Sequence, residues 1–340
     1  VYTIPFAFTP NPLAATLFTG ILHVAAVALC WWVGRRYGGP VAGLCAALLF
    51  ASSPWAVFFS RKIWEPNLLP PFALASMVTG LLAFLEGRRW ALVAHLSLLA
   101  IAVQFHYTGS LLAPLTVLML IVYRKRVDAW MLVIGIGLAM VTAIPFVLSL
   151  VREWRGVQPV LSGLISGTPR WDGESLRLWW VTVTGSNIHS LAGSPAYLDF
   201  LRSLPDLRLL HWAVGFLVVG GVAFGLWQVV DRDAGMKQSA GLKPAATTVA
   251  ALWAILPVFV MLRHSTPLYQ HYFIVLFPAP YLAAGFFVAW LMASRRFWVR
   301  LGVTAGIVSI AVMQGIVVLV LLNLVGRQAT PGGFGVPLRI

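Results

Sequence analysis

The stretch GGPVAGLCAALLFASSPWAVFFSRKIWEPNLLPPF, residues 38–72, decides the fold class. An apolar run over 40–59 ends in a short polar break, and a second apolar run over 67–85 follows directly. A helix that spans the hydrocarbon core of a bilayer needs about 20 predominantly apolar residues. This alternation predicts two membrane-spanning helices joined by a short polar turn.

The composition extends this interpretation to the whole chain. Of its 340 residues, 60% are hydrophobic and 10% are charged, and the mean hydropathy is +0.87. Soluble domains carry about 25% charged residues, so this chain cannot form a water-soluble surface. Soluble enzymes and nucleic-acid partners are therefore excluded, although the net charge is +14. Cys30 and Cys45 lie inside apolar runs, which predicts neither a disulfide framework nor a metal site.

Ten apolar runs predict an all-α, polytopic transmembrane bundle of about ten spanning helices. The runs are 12–33, 40–59, 67–85, 90–104, 109–123, 130–150, 209–230, 248–262, 271–293 and 301–325. The chain thus divides into N-terminal helices (1–150), an outer loop (151–208), C-terminal helices (209–325) and a tail (326–340). The polar segment 231–247 is predicted to be a flexible inner linker.

The distribution of Lys and Arg predicts the orientation, because cytoplasmic loops carry an excess of both. If the first residues lie outside, the inner loops hold thirteen: Arg35, Arg36, Arg88, Arg89, Arg124, Lys125, Arg126, Arg232, Lys237, Lys243, Arg295, Arg296 and Arg300. Six more lie in the long outer loop, which counts little in this rule, and five lie in the other outer segments. The bias favours a cell-membrane protein with this orientation.

Within the outer loop, GESLRLWWVTV (173–183) and SPAYLDFLRSL (194–204) mix aromatic and charged residues at short spacing. This pattern is typical of helices that lie in the membrane interface. A folded outer loop without any site is the alternative interpretation.

Three outer segments concentrate polar side chains at membrane depth, where such groups are expensive and usually functional. The first runs from Ser60 to Asn67 and contains Arg61, Lys62 and Glu65. Two cations beside a helix N-terminus suit a phosphate group, and the N-terminus itself favours the Glu65 carboxylate. The alternative is a solvated loop with a surface Arg61–Glu65 ion pair.

The other two segments contain histidines next to tyrosines. His106 and Tyr107 join the two short runs, so they either face a wet cavity or anchor the chain at the interface. The third segment, 263–272, enters a late helix, and its His271 could act as a base near neutral pH. An aromatic belt with helix-capping residues is the alternative there.

At these segments the sequence resembles a known family. Residues 38–72, AVQFHYTGSLLAPL (102–115) and YQHYFIVLFPAPYLAAG (269–285) resemble segments of polytopic glycosyltransferases with the GT-C fold. The similarity is to the protein O-mannosyltransferase and aminoarabinose-transferase-like branch, and it spans most of 12–325 in order and topology. It implies an enzyme that moves a sugar from a polyprenyl-phosphate carrier to a lipid, glycan or protein acceptor on the outer side of the membrane.

The resemblance also implies roles for individual residues. The family's main catalytic carboxylate lies in the first outer loop, whose end resembles VYTIPFAFTPNP here, so it is expected upstream of Val1 in an N-terminally truncated chain. Glu65 and His271 are the catalytic candidates within the chain, and a divalent metal is left open. The substrate-binding candidates are Arg61, Lys62, Trp64, Asn67, His106, Tyr107, Arg263, Tyr269, Gln270 and Tyr272, with the cations placed on the donor phosphate.

A transporter or flippase for a lipid-linked or small polar substrate is the main alternative function, since it would also be polytopic with polar residues at depth. Transporters often carry internal repeats and paired broken helices. Neither is evident here, and the 58 residues of the outer loop 151–208 make the chain asymmetric. A non-enzymatic membrane scaffold is a third possibility. The expected partners are a lipid-linked sugar donor and membrane lipids, and the oligomeric state is left open.

Overall fold

The computed structural model describes residues 2–186, 188, 202, 204–230 and 241–327, and this part of the chain is a polytopic bundle of α-helices. The N-terminal half contains α1 (Thr3–Phe8), α2 (Pro12–Ser52), α3 (Pro54–Phe59), α4 (Leu69–Phe84), α5 (Arg89–Phe105), α6 (Ala113–Val122) and α7 (Ala129–Arg152). Short 3-10 helices precede α4, α6 and α7, at Glu65–Leu68, Tyr107–Leu112 and Arg124–Arg126.

The second half contains the outer segment and the later helices. Its helices are α8 (Trp154–Ser166), α9 (Glu174–Thr184), α10 (Arg208–Val230), α11 (Pro244–Val260), α12 (Ala279–Met292) and α13 (Phe297–Arg327). The 3-10 segment Gln270–Leu276 precedes α12. Strands β1 (Arg170–Trp171) and β2 (Arg263–His264) pair antiparallel, with Arg170 opposite His264.

Each of the ten apolar runs is helical. Within the described residues, five helices are long and apolar enough to cross a membrane, or six if Gln270–Leu276 and α12, which meet at 48°, count as one broken span. The helices α5 and α11, and the apolar segment that ends with α6, are shorter than 18 residues. Sequence runs count apolar stretches, whereas a span also needs an unbroken helix about 30 Å long.

The first long helix is in fact a hairpin. Gly39 interrupts α2 with φ +84°, a left-handed backbone conformation that only glycine adopts without strain, and Pro40 starts the next turn. The two arms then touch, because a Cβ added to Gly34 would lie 2.7 Å from the Cα of Gly43. This break agrees with the separate runs 12–33 and 40–59.

Helix α7 indicates that the bundle is surrounded by membrane lipid. It is apolar throughout, yet only 6% of its most apolar window is buried inside the protein. Its contact with α5 is made at Gly135, where an added Cβ would lie 2.9 Å from Leu96. A helix this apolar and this exposed is stable only with hydrocarbon around it.

The loops expected on the inner side meet at one end of the bundle. Arg36 forms a bidentate pair with Glu86, with Nη2 2.6 Å from Oε2, and so joins the α2 hairpin to the end of α4. The Arg36 guanidinium lowers the pKa of Glu86 to about 2. Arg126 donates from Nη1 to the carbonyl oxygen of Leu85 at 2.7 Å, which brings the loop before α7 to the same end. The predicted alternation of loops is therefore consistent with the helix packing.

The first predicted interfacial segment, 173–183, forms α9, but the bundle buries one face of it. Trp179 is buried and donates from Nε1 to the Ala254 carbonyl oxygen at 3.0 Å, and Tyr281 donates to the Val183 carbonyl oxygen at 3.1 Å. Most of the second interfacial segment (194–204), most of the inner linker (231–240) and most of the tail (328–340) lie outside the described residues.

Candidate functional site

The three polar outer segments, which are far apart in sequence, come together at the end of the bundle opposite the Arg36–Glu86 pair. The His271 ring lies 4.8 Å from the Trp64 ring and 5.4 Å from the His106 ring, centroid to centroid. Tyr272 lies 5.5 Å from His106 and 5.4 Å from Tyr107. We call this group the aromatic cluster: Trp64, His106, Tyr107, Tyr269, His271 and Tyr272.

His106 enters the cluster because α5 ends there and the backbone turns extended, with φ −161°. Its Nδ1 accepts from the backbone N–H of Thr108 at 3.3 Å and lies 2.8 Å from the Thr108 hydroxyl. The N–H bond requires a bare Nδ1, so the neutral ring carries its proton on Nε2. Burial lowers the pKa of His106 to about 4, so the ring is neutral near pH 7 and acts as a donor through Nε2.

Lys62 lies at the edge of the cluster, with its ammonium nitrogen 5.4 Å from the centre of the Trp64 ring. Such a cation–π contact contributes about 0.5–2 kcal/mol, depending on how far it is removed from water. Partial burial lowers the pKa of Lys62. A cation held against an aromatic face, with part of its hydration removed, is suited to bind an anionic group of a ligand.

Two side chains, those of Tyr2 and Asn67, fix the backbone around Lys62 and Trp64. The Tyr2 hydroxyl accepts from the Trp64 N–H at 3.2 Å and donates to the Trp64 carbonyl oxygen at 3.1 Å. Asn67 donates from Nδ2 to the Lys62 carbonyl oxygen at 2.7 Å. Tyr2 could not be predicted from the sequence as a neighbour of the site, because no local pattern links residues that are 62 positions apart.

Asn67, a predicted substrate-binding residue, lies beneath the loop and supports its backbone. Its side chain is 0% exposed, and its carbonyl oxygen is bonded to Nε2 of His23 at 2.8 Å. Within the described residues its Oδ1 is buried without a hydrogen-bond partner. A fully buried amide that bonds the loop's own backbone holds the Lys62–Trp64 loop in place and does not face a ligand.

Arg61 and Glu65 are both exposed, on either side of the Lys62–Trp64 loop. Glu65 opens the 3-10 segment Glu65–Leu68, with Pro66 in its first turn as expected. No ion pair or hydrogen bond links Arg61 to Glu65 in the part of the chain that the structure describes. The simple surface ion pair is therefore not formed, and both charged groups can reach a ligand.

Two candidates of the third segment contact the outer segment. Gln270 is 5% exposed, and its Nε2 donates to the Leu178 carbonyl oxygen at 3.2 Å and to Thr182 of α9, so this side chain is engaged within the bundle. The backbone of Arg263 lies in β2, opposite Trp171 of β1, and its side chain is exposed. Substrate binding by both residues stays a prediction. Polarity near His271 suggested them, but polarity does not tell which neighbour a side chain faces.

Whether the site could hold a metal ion depends on which ligand side chains lie close together. Among the described residues, no group of three or more His, Cys, Asp and Glu side chains is placed to hold a metal ion. His106 and His271 are the two imidazoles of the cluster, and aromatic rings fill the space around them. The site is therefore a group of packed aromatic rings with the Lys62 ammonium at its edge.

Comparison with known proteins supports the fold class. No protein-family model matches the chain, and no curated protein matches it. Among solved structures, the chain is similar to ArnT from Cupriavidus metallidurans, crystallised with undecaprenyl phosphate bound, with a TM-score of 0.57 and 15% sequence identity. The match covers 97% of this chain and 61% of ArnT, so the chain spans about three-fifths of that protein's length. This likeness shows the GT-C fold that the resemblance implied.

Proposed function

We propose that the protein is a membrane glycosyltransferase that takes a sugar from a polyprenyl-phosphate carrier and passes it to a lipid, glycan or protein acceptor on the outer side of the membrane. The observation that carries this proposal is the aromatic cluster, in which three distant segments place imidazoles, phenols and a half-buried lysine around one point. The likeness to ArnT, which was crystallised with a polyprenyl phosphate, supports a lipid-linked donor.

We assign the donor phosphate to Arg61 and Lys62. Glycosyl transfer develops negative charge on the departing phosphate oxygen, and fixed cations stabilise that charge. Lys62 supplies a preorganised ammonium against Trp64, and Arg61 supplies a guanidinium that can form two parallel hydrogen bonds to phosphate. Lys62 lies at the edge of the cluster and the exposed Arg61 precedes it in the chain, so the sugar attached to the phosphate would extend over the rings.

We assign proton transfer to His271 and the orientation of the acceptor to Glu65. The two histidine rings are 5.4 Å apart, and charging both would place like charges side by side. Burial among the rings disfavours the charged form of both histidines, so a neutral His271 can accept the proton of an acceptor hydroxyl or amine. Glu65 directly follows Trp64, whose ring contacts His271, so the exposed carboxylate belongs to the same segment as that ring.

The sugar ring is assigned to the two tyrosines at the rim. Tyr107 and Tyr269 are 54% and 53% exposed, although each packs against Tyr272. An exposed aromatic face presents an apolar surface to the C–H groups of a sugar, while the phenol oxygen can bond a sugar hydroxyl. Exposed aromatic rings beside polar side chains therefore suit the binding of a carbohydrate better than that of an ion or a small apolar ligand.

A transfer assay tests the proposal. The full-length protein in liposomes is given a panel of radiolabelled polyprenyl-phosphate sugars with lipid, glycan and peptide acceptors, beside His271→Ala and Glu65→Gln. We expect transfer from one donor class, reduced at least about 100-fold by His271→Ala because general acid–base catalysis contributes about 10²–10⁴-fold. Movement of a lipid-linked substrate across the bilayer without any transfer product would instead establish the transporter or flippase.

A further inference from the structure

Two loops at the end of the bundle opposite the aromatic cluster carry a dense group of cations. One lies between α4 and α5 and the other between α6 and α7, and Arg126 bonds them together through the Leu85 carbonyl oxygen at 2.7 Å. We call this group the basic patch: Arg88, Arg89, Arg124, Lys125 and Arg126. All five residues are exposed.

The carboxylates described beside the patch are already engaged. Glu86 is held by Arg36, with oxygen–nitrogen distances of 2.7 and 2.6 Å. Asp128 lies 3.3 Å from Arg89 and accepts from the Trp130 N–H at 3.0 Å, which caps the start of α7. No described carboxylate forms a salt bridge with Arg88, Arg124 or Lys125, so the patch keeps a strong positive charge.

Two tryptophans mark the level of the patch relative to a membrane. Trp90 and Trp130 are the second residues of α5 and α7, and they are 60% and 74% exposed. Tryptophan is enriched at the boundary between hydrocarbon and headgroups. Helix α5 has 17 residues, so about 25 Å separates the patch from His106 at its far end. That length nearly matches the hydrocarbon thickness of about 30 Å.

We propose that the basic patch binds the phosphate headgroups of anionic phospholipids, on the membrane face opposite the aromatic cluster. Arginine forks match phosphate oxygens, and flexible lysine adds a point charge. The flanking tryptophans place these cations at headgroup depth, where clustered Lys and Arg attract anionic lipids. This binding is independent of the proposed sugar transfer, since it involves the other end of the bundle.

Native mass spectrometry of the full-length protein tests the proposal, with phosphatidylglycerol as the probe and phosphatidylcholine as its neutral counterpart. The test variant is Arg88→Gln/Arg124→Gln/Lys125→Gln, which removes three exposed cations and no side-chain hydrogen bond among the described residues. The matched control is Arg295→Gln/Arg296→Gln/Arg300→Gln, which removes three exposed cations between α12 and the first turn of α13. Circular dichroism and the unfolding temperature show that both variants fold.

We expect the wild-type protein and the control to bind phosphatidylglycerol alike, and the test variant to bind it about 100-fold more weakly, since each cation near an anionic surface contributes about fivefold. Phosphatidylcholine should not bind at the patch, and millimolar inorganic phosphate should not displace phosphatidylglycerol. Equal weakening in both triple variants would overturn the proposal, because it would show a diffuse charge effect. Unchanged binding in the test variant, or displacement by free phosphate, would overturn it as well.

Discussion

Arg61→Ala separates donor recognition from folding more cleanly than any other change in the site. The Arg61 side chain is exposed, and it forms no hydrogen bond or ion pair with the residues that the structure describes. Surface substitutions of this kind change the free energy of unfolding by no more than about 0.5 kcal/mol. The variant should therefore insert, fold and unfold like the wild-type protein.

The effect on the donor should be much larger. A hydrogen bond to a charged group contributes about 1.5–3 kcal/mol, and 1.4 kcal/mol corresponds to a tenfold change in rate. Losing the Arg61–phosphate contact should therefore lower kcat/KM for the polyprenyl-phosphate sugar by about 10- to 100-fold. Arg61→Lys keeps the charge but not the planar fork, so it should restore only part of that loss.

Two measurements on the same preparations check this reasoning. The first is transfer of radiolabelled sugar at varied donor concentration, and the second is the rise in unfolding temperature when unlabelled polyprenyl phosphate is added. Arg295→Ala, an equally exposed arginine at the other end of the bundle, is the control. Donor kinetics and lipid-induced stabilisation that stay at wild-type values in Arg61→Ala would refute the phosphate assignment, as would an equal loss in the control.

Three further outcomes are expected. Burial lowers the pKa of His106 from 6.5 to about 4. Between pH 6.5 and pH 4 the unfolded protein therefore binds a proton that the native protein does not bind. The free energy of unfolding should fall as the pH is lowered through this range. His106→Gln should make this slope less steep in unfolding temperatures measured at pH 7.5 and 5, without removing it, because burial also disfavours the charged form of the neighbouring His271. An unchanged slope would contradict the assignment. Asn67→Ala removes the hydrogen bond to the Lys62 carbonyl oxygen, so it should lower the free energy of unfolding by about 1–3 kcal/mol. It should also raise the KM for the donor. Wild-type values of both quantities would show that Asn67 does not support the Lys62–Trp64 loop. In intact cells, a thiol reagent that cannot cross the membrane should label Ser162→Cys and not Arg88→Cys. Background labelling should be low because Cys30 and Cys45 are buried. The reverse pattern would show that the protein has the opposite orientation.

The sequence was sufficient to predict the fold class and the neighbourhood of the site. Apolar runs broken by short polar turns predicted a polytopic bundle, and every run is helical. The polar residues Lys62, His106 and His271 marked the turns that meet in the aromatic cluster. This succeeded because polar side chains are costly at membrane depth unless they share one protein-lined cleft, so polarity there carries positional information.

The sequence was not sufficient to predict which polar side chains reach the aromatic cluster. Gln270 and His271 are neighbours, yet Gln270 bonds α9 and His271 contacts Trp64. The sequence predicted that Asn67 binds the substrate, but its side chain bonds the backbone of the loop. Nothing in the sequence pointed to Tyr2, which fixes the backbone of Trp64. These roles depend on which helix packs against each residue, and that is set by contacts between distant parts of the chain.

The backbone of the site explains why helical periodicity could not find it. All three site segments contain a 3-10 helix, at Glu65–Leu68, Tyr107–Leu112 and Gln270–Leu276, and these segments touch one another at one end of the bundle. A 3-10 helix has three residues per turn and poorer hydrogen bonds than an α-helix, so it does not show the 3.6-residue pattern. At membrane depth, such backbone is tolerated only where protein buries it or where it lines a wet cavity. Leu68, Leu112 and Ile274 are buried, so the bundle covers much of this irregular backbone while it brings three polar segments to one point.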